Sequence, residues 1–597
     1  LTPGGRSRPR LVSGRGPAGR LGRIGQRPYP VGVSCLPRPT SSNTNRLLSA
    51  AGSSAKALLA DCCTPCYVYP DTTISETASS AHKRHQEERD GCGEEMIFYY
   101  IWLSFRHIMN KSILFLISLM AISCTADNAE ICKFKDGRQA ALSLTFDDGL
   151  AEHYTLVLPQ LERNGLKATF WINGNCIDST DNYAARLTWD NCREMAAKGH
   201  EISNHSWSHP NLTSLSEAEI REEIKRNDDA IEKELGARPI TFCYPFNAFN
   251  EEVLAIASEG RVGTRTFQEA QGQVNSHSTK ESLEGWLDNI IAQGEWGVTM
   301  THGIHTAWDQ WEDASILWNY FKYISARRHS LWVGTFAQVS SYIAERDNCT
   351  IKVRKRGDKV TIIPTCTLDP AIYKEPLTAK VDGRYLEFDP FGGPQTYDLS
   401  DQLYGKVINV IGDSYVRNHA RPFSETWHNK VAERHNMVYN NYGINGSSIA
   451  FDRTHQGFGA AMVDRYGEMS KEADYIIIIA GHNDAGMMSF MPDGVNVFKE
   501  RLDLLLKGIK TDYPEAKVGF VAPWQVDRPG FEEVIAYITE ACERHSIKLI
   551  AAPESLIDVN NESFRAQYFQ GRNDTAHLND KGHDLLLDWG DEFLKSL

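Results

Sequence analysis

Twice along this chain a short apolar, β-prone run stops without transition at reactive side chains. Residues 140–146 end in Asp147-Asp148-Gly149, and residues 406–411 end in Gly412-Asp413-Ser414. A buried strand with polar groups at its carboxyl end is the usual layout of an α/β active site, because parallel strands deliver those ends to one face. After the first run the pattern alternates. A helical stretch at 154–164 is stopped by Gly165, a strand follows at 168–172, and a helix spans 189–197. Lys198-Gly199 then lead through a short strand into His205-Ser206-Trp207-Ser208-His209. Such alternation predicts a parallel, barrel-like sheet.

At 597 residues the chain exceeds one hydrophobic core, and about 100–200 residues per domain predicts three or four units. A formal charge of -14 argues against a general nucleic-acid binder and leaves neutral polysaccharides open. Residues 1–108 are Arg-, Gly- and Pro-rich at the start, with no acidic residue before Asp61. They read as an extension, disordered or translated in frame from upstream DNA. Its Cys63-Thr64-Pro65-Cys66 lacks the second pair that a metal site needs. Met109-Asn110-Lys111 then opens a signal segment at 109–124, with an apolar stretch too short to span a bilayer. Ala121-Ile122-Ser123-Cys124 resembles a lipoprotein cleavage box, so Cys124 is the expected lipidation site. The protein is expected to be exported: a cell-envelope lipoprotein, otherwise periplasmic or secreted. In that oxidising setting Cys176 and Cys192 could bridge, although sequence alone does not pair them.

Two His four apart plus one carboxylate make a three-ligand site for a divalent ion, zinc by preference, with a position left open for water. Such an ion lowers the water's pKa and polarises an acetyl carbonyl, and a second carboxylate can take the water's proton. On these residues the stretch from Asp136 to Arg346 resembles the NodB-type polysaccharide deacetylases (carbohydrate esterase family 4). The resemblance implies Asp147 as general base, and Asp148, His205 and His209 as metal ligands. His302, in Thr299-Met300-Thr301-His302-Gly303, becomes the general acid, and His305 beside it a bystander. Phe242-Cys243-Tyr244-Pro245-Phe246 stands at the third motif, where Tyr244 supplies an oxyanion-hole N–H. An arginine expected at that motif is missing, and Arg265 is the candidate to orient Asp147 instead.

Residues 347–402 read as a small β-rich spacer. Residues 350–354 and 359–363 alternate like paired strands around Arg356-Gly357-Asp358. The alternative is a carbohydrate-binding module that stacks sugars on Tyr373, Tyr385 and Phe388. Beyond it, a serine at the end of a buried strand is placed as a nucleophile, which needs a base held by an acid. Asp574-Thr575-Ala576-His577 carries both on one loop, before a final helix at 581–594. Oxyanion donors are also required, and the candidates are Gly446 and Asn483, the latter following a strand at 475–480. Four such blocks in order resemble the GDSL or SGNH hydrolases over residues 403–597. That implies nucleophile Ser414, base His577, orienting Asp574, and an oxyanion hole from Ser414, Gly446 and Asn483. No cofactor is expected there.

The expected fold class is therefore α/β: a NodB-type (β/α) barrel, a small β-rich spacer, then an SGNH α/β/α sandwich with a parallel sheet. The expected function is an exported bifunctional carbohydrate esterase removing acetyl groups from a polysaccharide, with acetylated xylan preferred. Its partners are that substrate, with no nucleic acid, and a membrane only through a lipid anchor. One alternative is a peptidoglycan or exopolysaccharide modifier that N-deacetylates N-acetylglucosamine, with an accessory O-acetylesterase. The other is a non-catalytic glycan-binding protein, against which the intact catalytic sets argue.

Overall fold

The computed structural model describes residues 129–597 except 181–183, 267 and 269. The extension, the signal segment and Cys124 lie outside the described residues. Among the described residues no helix is long and apolar enough to cross a membrane.

Strand β1 (Ala129–Ile131) opens the described chain and joins a sheet formed much later. The first catalytic domain then follows on eight strands: β2 (Ala140–Phe146), β3 (Ala168–Ile172), β4 (Glu201–Asn204), β5 (Thr241–Cys243), β6 (Gly263–Arg265), β7 (Ala270–Gln273), β8 (Trp296–Met300) and β9 (Leu331–Val333). They form one parallel sheet in the order β6-β5-β4-β3-β2-β8-β7, with β9 beside the start of β2. The barrel expected from the sequence is thus open, since β6 and β7 end the order without pairing among the described residues. Every residue of β2 is buried, which fits a central strand covered on both faces.

Local chemistry sets the helix ends. Thr188 caps the helix Trp189–Ala197 by accepting from the Asn191 N–H at 3.1 Å, while Asn191 accepts from Thr188 in return. The helix expected at 154–164 begins instead with a wider π-type turn, His153–Val157, before the α-helix Leu158–Asn164. Gly165 ends it at φ 63, as expected. Single π-turns commonly mark functional sites. This one lets His153 Nε2 donate to the His302 carbonyl at 2.8 Å.

The spacer consists of β10 (Cys349–Arg356), β11 (Lys359–Cys366), β12 (Leu377–Val381), β13 (Arg384–Phe388) and β14 (Gln395–Asp398). They make two antiparallel sheets, β10-β11-β14 and β1-β12-β13. β1 pairs with β12 from Ala129 opposite Val381 to Ile131 opposite Ala379. β1 therefore belongs to the spacer sheet although it precedes the first domain in sequence. Two of the three expected sugar-stacking aromatics are unavailable. Tyr385 is 7% exposed and Phe388 1%, both packed in hydrophobic clusters. Buried aromatics serve packing, as a spacer requires.

Cys349 and Cys366 face each other across the β10–β11 ladder and are joined as a disulfide. Cys176 and Cys192 are not joined to each other. A bridge closing a 17-residue separation contributes about 3 kcal/mol by constraining the unfolded chain. Replacing both Cys349 and Cys366 by serine is expected to bring unfolding of this segment forward by about that amount in calorimetry. A reductant should do the same to the native chain and leave the double variant unmoved.

The second catalytic domain holds β15 (Val407–Gly412), β16 (Val438–Gly443), β17 (Tyr475–Ile479), β18 (Lys517–Ala522) and β19 (Lys548–Ala551). They form a parallel sheet in the order β16-β15-β17-β18-β19. Side chains of β17 alternate between layers. Ile476 and Ile478 join one buried cluster, and Ile477 and Ile479 the other. Each fully buried isoleucine contributes about 1.5–3 kcal/mol. The strand order reverses at β15, and the crevice outside the carboxyl ends of β15 and β17 is where such sheets bind ligands. The final helix expected at 581–594 is two helices, Asp580–Asp584 and Leu587–Lys595.

The two catalytic domains touch directly. Arg138 donates to the His329 carbonyl at 2.7 Å, to the Tyr439 carbonyl at 3.0 Å and to Asn440 Oδ1. The His329 ring lies 4.6 Å from that of Tyr442. The spacer reaches the second domain through Lys380 and Glu472, which form an ion pair at 2.9 Å.

Candidate active sites

The first constellation gathers at the carboxyl ends of the parallel strands. β2 supplies Asp147 and Asp148, β4 leads to His205 and His209, β6 ends on Arg265, and β8 leads to His302. Arg265 grips the Asp147 carboxylate with both terminal nitrogens. Nη1 donates to Oδ1 at 2.6 Å, Nη2 donates to Oδ2, and Nη1 also reaches Thr145 Oγ1 at 2.8 Å. Both side chains are buried. Burial opposes ionisation of Asp147, but the charge and hydrogen bonds of Arg265 outweigh it and hold the carboxyl well below the usual range. The guanidinium thus contacts Asp147 from β6 rather than from the third motif.

Asp148 faces both histidines, with Oδ1 3.6 Å from His205 Nε2 and 3.4 Å from His209 Nε2. His205 Nδ1 lies 2.9 Å from the Cys243 carbonyl, so the ring donates there and presents an Nε2 lone pair to Asp148. Burial also keeps His205 neutral, with its pKa lowered to about 4. A lone pair facing a carboxylate oxygen, with no proton between them, is a donor set that a divalent cation satisfies. Asp148 and His209 adopt left-handed backbone, φ 75 and 57, to converge there. A second grouping, Asp147, His205 and Cys243, is also close. It fits a cation poorly, because Arg265 already occupies Asp147 and burial keeps the Cys243 thiol protonated.

His302 Nε2 stands 3.8 Å from Asp147 Oδ2, and Nδ1 donates to Asp309 Oδ2 at 3.0 Å. Asp309 escaped the sequence reading, although it lies only seven residues on. Glu152 was also missed: its Oε2 accepts from the backbone N–H of Ile304, His305 and Thr306, fixing the loop after His302. The His305 side chain takes no part in that hydrogen bonding. Tyr244 is buried with its hydroxyl donating to Thr264 Oγ1 at 3.0 Å, so only its backbone is available to a ligand. Phe246 and Trp308, 67% and 63% exposed, belong to the loops that carry this site, and the Phe246 ring sits 4.7 Å from His209.

In the second domain Ser414 begins the helix Ser414–Arg417 directly after β15. The close approach demands Gly412, where a Cβ would come within 2.3 Å of the Ile479 carbonyl oxygen. Ser414 Oγ lies 2.9 Å from His577 Nε2, and His577 Nδ1 donates to Asp574 Oδ2 at 3.0 Å. Asp574 Oδ1 accepts from the backbone N–H of Ala576 and His577 at 2.8 and 2.9 Å. Burial opposes ionisation of Asp574, but these bonds prevail and hold its pKa below the ordinary value. The arrangement sets an acid, an imidazole in a defined tautomer and a hydroxyl in line.

Gly446 and Asn483 meet around the next residue. Asn483 Nδ2 donates to the Ser447 carbonyl at 3.0 Å and to Asp413 Oδ2 at 3.3 Å, next to the nucleophile. Gly446 has φ +74, and a side chain there would strike the Phe458 ring. Burial raises Asp413 to about 7. Arg465, unnoticed in the sequence, donates to the Tyr442 and Gly412 carbonyls at 2.6 and 3.0 Å and ties the two strand ends that frame the site. A trough of about 750 Å³ lined by Gln525, Arg528, Asn560 and Thr575 runs beside the triad loop. Trp524 borders an adjoining hollow of about 730 Å³ and donates from Nε1 to the Thr575 carbonyl at 3.0 Å.

Residues 135–262 match the family model of polysaccharide deacetylase, and residues 410–585 that of the GDSL-like lipase/acylhydrolase family. Over 121 residues the chain is 35% identical to a chitin deacetylase of Pestalotiopsis sp, a match covering 20% of this chain and 38% of that protein. It is 33% identical over 125 residues to the peptidoglycan-N-acetylglucosamine deacetylase PgdA of Listeria monocytogenes, covering 21% and 25%. It is 33% identical over 113 residues to the uncharacterized protein YlxY of Bacillus subtilis, covering 19% and 33%. The chain thus spans about a quarter to two fifths of the length of these relatives.

Proposed function

We propose that this chain, which carries a polysaccharide deacetylase domain followed by a GDSL-like acylhydrolase domain, is an exported bifunctional carbohydrate esterase. Acetylated xylan is the preferred substrate. The observation that carries this reading is the presence of two separate, complete hydrolytic constellations in one chain. In the first, Asp148, His205 and His209 would hold a divalent ion, zinc by preference. Bound there, the ion would supply an activated water and a polarised acetyl carbonyl. Asp147, kept ionised by Arg265, accepts the water's proton, and His302, oriented by Asp309, donates a proton to the leaving group. The Tyr244 N–H faces the developing oxyanion.

In the second domain Ser414 attacks an acetyl ester and His577 takes its proton, with Asp574 steadying the imidazolium. The Ser414 and Gly446 N–H groups receive the oxyanion, joined by the Asn483 amide once it gives up its longer bond to Asp413 Oδ2. The exposed rings of Phe246 and Trp308, and the trough beside Thr575, support a polymeric sugar substrate over a small ester. A lipid anchor at Cys124 would hold the protein at the cell envelope.

A second reading is favoured by the chitin and peptidoglycan deacetylases among the relatives: N-deacetylation of an amino-sugar polymer by the first domain, with the second as accessory O-acetylesterase. Acetate release separates the two. On acetylated xylan we expect release that a chelator, or His205→Ala, reduces without abolishing. Chelator-sensitive release from an N-acetylglucosamine oligomer, with none from xylan, would move the first domain to N-deacetylation. No chelator-sensitive release from either would remove the first domain from both readings.

A further inference from the structure

His419 lies five residues after the nucleophile, outside every motif read from the sequence. Its ring stacks face to face on that of His577, with centroids 4.2 Å apart and planes 14° from parallel. Among the described residues the His419 ring makes no hydrogen bond, so the stack is its one specific interaction. The chain reverses sharply to place it. Asn418 and His419 both adopt left-handed backbone, φ 69 and 46, which side chains with a Cβ resist. Several bonds hold this turn. The Asn418 amide donates to the Pro422 carbonyl at 2.7 Å, and its Oδ1 accepts from Gln570 at 3.1 Å. The His419 N–H donates back to the Ser414 carbonyl at 3.2 Å, and the His419 carbonyl accepts from Asn445 at 2.9 Å. A strained turn secured from four directions, delivering an otherwise unbonded ring onto the base, is a built feature.

We propose that His419 is a positioning residue of the serine site, which clamps the His577 ring in line with Ser414 and, while neutral, shares the positive charge His577 gains on taking the serine proton. The inference rests on the serine-hydrolase reading of this site. When the proton leaves Ser414 Oγ for His577 Nε2, the imidazolium has the Asp574 carboxylate at its edge and the His419 π face against its plane. A cation over an aromatic face is stabilised, and the effect persists at an exposed ring such as that of His419. The other titratable groups around the pair are Tyr415, whose ring lies 6.3 Å from that of His577, Asp413 and His482. Burial and the neighbouring His577 charge both lower the His419 pKa, with Asp574 opposing. These shifts favour the neutral form of His419, as the stack requires.

The test uses the full chain and a small chromogenic acetyl ester in the presence of chelator, with chelator-sensitive deacetylation and the unfolding transition as folding controls. His419→Ala is expected to lower kcat about fivefold with KM unchanged, the loss of a cation–π contact at an exposed ring. His419→Phe, which keeps the face and removes the titration, should restore kcat to within about twofold of the native chain. His419→Lys places a fixed positive charge on the stack, so it should lower kcat and move the acid limb of the pH profile to lower pH. The inference fails if all three variants match the native chain in kcat and pH profile. It also fails if Phe is as poor as Ala, or if all three lose both activities together, which would make the residue purely structural. Ser414→Ala run alongside separates the levels. Persistent ester hydrolysis in that variant overturns the serine-site reading itself, whereas its loss with silent His419 variants overturns only the role of His419.

Discussion

Ser414→Ala is expected to cut chelator-resistant acetyl-ester hydrolysis by about 10⁴-fold or more, while chelator-sensitive deacetylation stays within experimental error of the native chain. The size follows from the geometry. Ser414 Oγ is the atom 2.9 Å from His577 Nε2, and a triad without its nucleophile retains only the contribution of the oxyanion donors and binding. The change removes one oxygen from a nearly buried position and leaves the Asp574–His577 pair hydrogen-bonded, so unfolding should hardly shift. Selectivity is the sharper part of the expectation. The first constellation is built from a different sheet and shares no residue with the triad. Loss of both activities in this variant would mean that the first domain is silent and the bifunctional reading wrong.

Arg265→Met is expected to be the most damaging single change to the first domain. It removes the only ion pair that Asp147 makes with an arginine or lysine among the described residues and leaves a buried carboxylate uncompensated. Breaking a buried pair from one side destabilises by about 3–5 kcal/mol. Asp147 would answer by taking up a proton, since burial alone raises its pKa. Chelator-sensitive deacetylation at neutral pH should then fall about 10²–10³-fold, and the remaining activity should need a higher pH, the mark of a base that has become harder to ionise. The sign for the native chain is the reverse. Its Asp147 pKa is depressed, so the stabilisation is fully present above the ordinary carboxylate pKa. It is lost only as pH falls through the still lower folded value. A native acid limb set by Asp147 should accordingly lie below the carboxylate range. If Arg265→Met kept its chelator-sensitive rate within about threefold, Arg265 would not be what holds Asp147 ionised.

Much of the catalytic geometry is legible in the chain because parallel sheets announce themselves. A continuous apolar run that stops at Asp147 or Gly412 must be a covered strand, and its carboxyl end must be where reactive groups collect. Partners supplied by tertiary folding are harder to see. Arg265 could be nominated only once a resemblance had left a vacancy for it. Asp309 and Glu152 sit near their targets in sequence or space, but nothing in their own surroundings marks them before the loop after His302 closes. Tyr385 and Phe388 misled for a related reason. An aromatic in a short Pro-broken segment looks the same whether it faces a sugar or a core, and only the pairing of β12 with β13 decides. β1 was invisible because three residues carry no period, and its partner strand lies about 250 positions away.

That distant pairing has a consequence for how this protein could be taken apart or recombined. The deacetylase fold leaves a strand of the spacer sheet, makes its whole excursion, and returns to the same sheet, so its two ends are stitched together by β1 and β12. Residues 135–262, which match the deacetylase family model, are therefore a smaller piece than the unit nature could transplant. Cutting there removes the stitch, strips β12 of a neighbour, and exposes an unpaired edge able to recruit a foreign strand. The transferable cassette runs from Ala129 through β13, with the enzyme looped out from its own adaptor. An adaptor entered and left through adjacent strands is an insertion port, and a different enzyme of similar end-to-end spacing could be spliced into it without disturbing the esterase that follows.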